Sequence, residues 1–175
     1  MDDAASESEG SMTTAVYEGT RPLLIEVQAL VAAGNIGFAR RTALGIENSR
    51  LSMIIAVLEK KAGISLISQD IYVNVVGGLK PEGTSTDLAV ALAIYSSYKG
   101  VTSDKCTIAL GEIGLTGELR PVQNADKIVK EAIRMGFNRI ILPSRNAEKL
   151  ATDTSLKAVK IVPVLNLREA IKKTF

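Results

Sequence analysis

The stretch from Ile71 to Tyr95 most restricts how this chain can fold. An alternating apolar strand, Ile71 to Val76, runs into Val76-Gly-Gly-Leu-Lys-Pro-Glu-Gly-Thr-Ser-Thr-Asp87. Leu88 to Tyr95 follows, apolar almost all round, which places that helix at the centre of a core. A glycine-bearing turn that delivers Ser85 to a helix start is where a serine hydrolase keeps its nucleophile. The same residues also read as a plain helix start. Thr84 and Asp87 have capping-box spacing, a hydroxyl at the cap and a carboxylate three residues on. In that reading Ser85 is the first helical residue, and Gly83 supplies the freedom of the turn.

The rest of the chain narrows the chemistry. Its 175 residues suit one domain with a real core. There is no histidine, which removes Ser-His-Asp and Cys-His catalysis. With one cysteine, Cys106, neither an internal disulfide nor a zinc site is expected, so the metal expectation is none and a reducing cytoplasm fits. No apolar run reaches membrane-span length, and no secretory signal is visible, so no membrane partner is expected. A base for Ser85 would have to be Lys, Asp or Glu; a lysine can serve if burial lowers its pKa, and Lys99, Lys105, Lys127 and Lys130 are the downstream candidates. Net charge of +2 gives no argument for nucleic acid by itself. With no tryptophan and 4% aromatic residues, base stacking has few platforms, and any nucleic-acid contact falls to phosphates.

In chain order, residues 1–11 are acidic, small and polar and read as a disordered tail or linker, followed by a domain over 12–175. Thr13 to Tyr17 and Leu23 to Val31 predict strands, with Leu23, Ile25, Val27, Ala29 and Val31 on the core face. Phe38 to Leu44 predicts a further strand, joined antiparallel to its predecessor. Residues 47–61 form an amphipathic helix, and a helix is expected to begin near Thr84. Cys106 to Ile113 and Glu118 to Arg120 predict a hairpin around Gly114-Leu-Thr-Gly117. Helices over 124–135, from Ser144 and over 166–173, with strands at 139–142 and 159–162, complete an α+β fold of mixed pairing.

Several longer motifs carry a family resemblance over residues 13 to 150. They are Glu18-Gly-Thr-Arg-Pro22, Arg40-Arg-Thr-Ala-Leu-Gly-Ile46, Val57-Leu-Glu-Lys60 and Asp70-Ile-Tyr-Val-Asn-Val-Val-Gly-Gly78. To these add Asp87-Leu-Ala-Val-Ala91, Gly111-Glu-Ile-Gly-Leu-Thr-Gly-Glu-Leu-Arg-Pro121 and Gly136-Phe-Asn-Arg-Ile-Ile-Leu-Pro143. Together they resemble the proteolytic domain of Lon-type ATP-dependent proteases, and more closely the Lon-like C-terminal domain of the RadA/Sms family of bacterial DNA-repair proteins. The resemblance implies mixed sheets with packed helices, of the ribosomal protein S5 domain 2-like type. It also implies a homo-hexameric ring, contact with DNA, and work in recombination and branch migration beside a RecA-type recombinase. Counting from Gly111, the Lon nucleophile position falls on Ser85 and the Lon catalytic-lysine position on Ile128. Lys127 is one residue off, a rotation of about 100° on a helix. The resemblance therefore implies a domain that is not an enzyme, with Ser85 vestigial.

No Gly-x-x-x-x-Gly-Lys-Ser/Thr loop and no Cys-x-x-Cys pair occur, so no cofactor is expected in this domain. ATP, magnesium and zinc are implied only for the remainder of such proteins. The DNA-contact candidates are Arg40 and Arg41, then Lys60, Lys61 and Lys80. The inward member of the arginine pair would otherwise meet an acid such as Glu112. Three functions compete: a non-proteolytic hexameric, DNA-binding scaffold, a serine peptidase with an unidentified lysine base, and a ring-former that touches no DNA.

Overall fold

The computed structural model describes residues 8–35 and 37–175, so most of the expected tail lies outside it. The chain builds one seven-stranded sheet in the order β3-β4-β2-β1-β5-β8-β9. Its first half comprises β1 (Ser11–Glu18), β2 (Arg21–Ala33), β3 (Arg41–Leu44), α1 (Asn48–Ala62), β4 (Gln69–Val75) and α2 (Asp87–Lys99). The second half runs β5 (Thr107–Ala109), β6 (Glu112–Ile113), β7 (Leu119–Arg120), α3 (Ala125–Arg134), β8 (Arg139–Pro143), α4 (Ser144–Leu150), β9 (Lys160–Val164) and α5 (Leu167–Thr174).

Pairing is mixed, as expected, but the sheet is mostly parallel and helices alternate with strands, so the architecture is α/β. β2 is antiparallel to both β1 and β4, whereas β1 with β5, β3 with β4, β5 with β8 and β8 with β9 run parallel. β3 does not lie beside β2, contrary to the expected antiparallel neighbours. α1 separates β3 from β4 in sequence, and this strand–helix–strand connection sets them parallel. The strand after the expected tail begins at Ser11, two residues early. Gly10 already donates its amide to the Ser96 hydroxyl at 2.8 Å and accepts from the Ala29 amide at 2.7 Å. The 114–117 turn forms the expected hairpin as β6–β7, while Thr107–Ala109 leaves it to join the main sheet.

α2 is the centre of the molecule. Leu88 to Ile94 are without exposure, as their unbroken apolar character demands. Its cluster joins Ile25, Val27 and Ala29 of β2 and Ile71, Val73 and Val75 of β4 to α1 and α5 on one face of the sheet. A second cluster on the other face sets Ile108, Leu110 and Ile140 beneath α3. Six of the seven strands share one direction, so the sheet has a starting end and a finishing end. The amino ends of α2 and α3 lie at the finishing end, where clefts form in open α/β sheets. Among the described residues no helix is long and apolar enough to cross a membrane.

Gly10 has φ +87°, and a Cβ there would collide with the Ala29 carbonyl. Gly10→Ala should therefore destabilise the fold by about 2–3 kcal/mol, seen as a lowered urea midpoint.

Candidate functional site

At the finishing end, the loop between β4 and α2 stands between two hollows. One, of about 530 Å3, is lined by Gly45 to Glu47, Arg50, Lys80 to Thr84, Thr86 and Asp87. The other, of about 400 Å3, holds Ser85 and Ile128 together, with Tyr17, Glu82, Glu112 and Asn124 among its walls. The register count from Gly111 thus pairs two residues 43 positions apart that do share one cleft.

Ser85 is tied down through its backbone. Its carbonyl accepts the Gly111 amide at 3.0 Å, and the Gly111 carbonyl accepts the Leu88 amide at 3.1 Å. Its hydroxyl makes no hydrogen bond to any described residue. Ile128, 2% exposed, packs into the cluster under α3, so the position facing Ser85 is filled by hydrocarbon. Lys127 is on the exposed side of α3, and its Nζ meets the Tyr17 hydroxyl at 3.2 Å and lies over the Tyr17 ring. Lys99 closes the far end of α2, and Lys105 precedes β5. Asn124, before α3, has φ 57°, the one positive φ outside glycine among the described residues, so the backbone is strained at the cleft wall.

The expected capping box at Thr84 and Asp87 is not formed. α2 begins at Asp87 after Thr86, and no side chain caps it. The Thr84 hydroxyl donates instead to Glu112 Oε2 at 2.6 Å. Asp87 is 2% exposed and takes a two-point ion pair from Arg50, with Nε at 2.9 Å on Oδ1 and Nη2 on Oδ2. The Ile113 amide donates to Asp87 Oδ2 at 3.0 Å, and Arg50 Nη2 also reaches the Ile113 carbonyl at 3.2 Å. A carboxylate already desolvated needs a full cation, and a helix-start amide cannot supply one. Burial pushes the Asp87 carboxyl above the usual carboxylate range, against the pull of Arg50 and the Ile113 amide. The hydrogen bond to Asp87 raises the Arg50 guanidinium in turn.

The basic candidates sit on different elements. Arg40 is exposed, and its backbone amide donates to Asp70 at 2.7 Å. Arg41 is the inward member, and its Nη2 goes to the Leu66 carbonyl at 2.8 Å, not to Glu112. Glu112 is held by Thr84, with Arg120 at 3.7 Å. Lys60 is exposed, while the stem of Lys61 runs beside Gly117 and its carbonyl accepts from Arg168. Lys80 lies in the serine loop. Among the described residues no group of three or more His, Cys, Asp or Glu could hold a metal ion. Arg50 and Tyr17 were missed from the sequence. A partner 37 residues from Asp87 leaves no periodic signal, and Tyr17 read only as a strand residue.

The family described as subunit ChlI of Mg-chelatase matches residues 36–146, which include Ser85, Asp87 and Ile128, and the chain belongs to that family. The chain is also similar to curated proteins called DNA repair protein RadA. It is 40% identical to that of Bacillus subtilis (strain 168) over 172 residues, 98% of this chain and 37% of the relative. It is 40% identical to that of Streptococcus pneumoniae over 175 residues, 100% of this chain and 41% of the relative. With the relative from Escherichia coli (strain K12) identity is 41% over 164 residues, 94% and 35% of the two chains. The resemblance to RadA/Sms proteins carried by the motifs is thereby shown, and the chain spans well under half the length of these relatives.

The ion pair gives a direct prediction. Arg50→Met leaves Asp87 buried without its cation and should cost about 3 kcal/mol of unfolding free energy. Arg50→Met/Asp87→Leu should cost clearly less than the two single changes summed, as measured by urea unfolding.

Proposed function

We propose that this chain is a non-proteolytic, Lon-like domain of a DNA-repair protein, working as a hexameric scaffold that contacts DNA. One observation carries the non-proteolytic part: the cleft that holds Ser85 faces it with Ile128 and not with an amine. A serine hydroxyl needs an adjacent base, and of the acids in the cleft wall Glu112 already accepts from the Thr84 hydroxyl, while neither it nor Glu82 bonds the Ser85 hydroxyl. The DNA-repair part rests on the printed names of relatives about 40% identical over nearly the whole chain.

The RadA/Sms resemblance further supports a homo-hexamer, a cytoplasmic setting and work beside a RecA-type recombinase in recombination. ATP, magnesium and zinc belong, in this reading, to the part of such proteins beyond the matched length. The chain's own residues offer no phosphate loop for a nucleotide.

Within the arginine pair the contact with phosphate falls to Arg40, because Arg41 is spent on the Leu66 carbonyl. Arg40→Ala should weaken duplex DNA binding and make the plot of log affinity against log salt shallower by about 1. Arg41→Ala should lower the melting temperature and leave that slope unchanged. An unchanged slope in Arg40→Ala removes this residue from the footprint. Light scattering should give a mass six times 18.6 kDa, and a monomer mass contradicts the scaffold. A six-fold mass without any DNA binding would favour the ring-former that touches no DNA.

A further inference from the structure

The hollow beside the ion pair, across the loop from the serine cleft, holds polar groups that neither the fold nor the proposed function uses. Its volume of about 530 Å3 falls within the roughly 300–1,000 Å3 of small-ligand clefts. Its two banks are fixed against each other. Gly45, at φ +88°, lets the turn after β3 lie on the loop after β4, and a Cβ there would collide with the Leu79 carbonyl oxygen. Glu47, two residues on, stands at the N-cap of α1, and Arg50 pins that helix to Asp87. The hollow is therefore built before any guest arrives.

Its buried floor and its exposed mouth differ. At the floor Arg50 and Asp87 satisfy each other and leave no net charge. Thr86 beside them is 6% exposed, and it lines this hollow and not the serine cleft. Its hydroxyl makes no hydrogen bond to any described residue. It does not cap α2, because its backbone, φ −89° and ψ −4°, is already helical and not extended. A buried hydroxyl without a partner is rare, and here it is left for a guest. At the mouth Glu47 and Glu82 are exposed, one on each bank, and neither carboxylate pairs with any described residue. With Arg50 and Asp87 cancelled, these two carboxylates face one amine, Lys80, so the hollow favours a cation.

We propose that this hollow is a receiving pocket for the guanidinium of an arginine side chain presented by a partner protein. Ile46 and Pro81 give the aliphatic stem apolar walls, and the exposed banks leave room for the backbone that carries it. A guanidinium donates in several directions in its plane, which suits two carboxylates and a hydroxyl around one hollow. A lysine ammonium is more strongly hydrated and gives up more on entering. The pocket requires neither the DNA contact nor the ring proposed above.

The test is saturation-transfer NMR of acetyl-arginine amide titrated against the chain, with acetyl-citrulline amide, alike in shape but uncharged, as the comparison. Wild type should bind the arginine compound about tenfold more tightly than the citrulline one. Glu47→Gln/Glu82→Gln should erase that difference. Thr86→Val should weaken the arginine compound about fivefold and leave the melting temperature unchanged, because the hydroxyl has no partner in the fold. Lys80→Gln should tighten it about twofold. Equal binding of the two compounds by wild type, or an undiminished preference in Glu47→Gln/Glu82→Gln, overturns the pocket. Weaker binding in Lys80→Gln would show an anion site and overturn it as well. Light scattering of the same solutions separates the sources of the arginine. A constant mass supports a separate partner, and a mass that falls as the compound is added places the arginine on a second copy of this chain and overturns the separate partner.

Discussion

Arg50 holds the finishing end of this molecule together. Its guanidinium ties α1 to Asp87 at the start of α2 and to the Ile113 carbonyl of β6, and the Ile113 amide closes the ring onto the same carboxylate. Asp87 must be buried because the helix it opens is buried on every side. A charge in that position is tolerated only with a cation and an amide on it, so the amino end of α2 has one stable placement. That placement sets Thr86 and Ser85 outside the helix. It leaves Thr84 free to engage Glu112, and it makes the loop the partition between the two hollows.

The capping-box expectation failed at this same point. Spacing shows that a carboxylate stands three residues after a hydroxyl, and both groups are indeed used. Their partners, Glu112 for Thr84 and Arg50 for Asp87, come from 28 and 37 residues away, and local spacing cannot show them. By contrast, helices read from long periodic runs lie where expected, and α1 and α5 start one residue late. The burial of α2 was legible because nothing polar interrupts Leu88 to Ile94. The strand partners of β3 were not. Alternation gives a strand's buried face, whereas its neighbour is decided by the helix crossing that follows. Of the site, the pairing of Ser85 with Ile128 was reached only through an ungapped count along family motifs. The orientation of Lys127 toward Tyr17 follows from its helical phase.

The parallel sheet gives the domain two unlike ends. The finishing end collects helix amino ends, the strained Asn124, the ion pair and a cleft walled by Glu82 and Glu112. Helix carboxyl ends and strand starts gather at the other end, with their lysines and Arg139. Under the proposed function, a cleft that sets Ile128 with Ser85 suits a domain whose work is contact and assembly and not bond cleavage.

The proposed non-proteolytic role turns on Ser85 lacking a base. Wild type and Ser85→Ala should be incubated separately with an unfolded protein substrate near neutral pH, and new amino termini counted against a blank. Neither form should release any above the blank. Hydrolysis by wild type that disappears in Ser85→Ala would contradict it, and would require a lysine to reach the serine past Ile128.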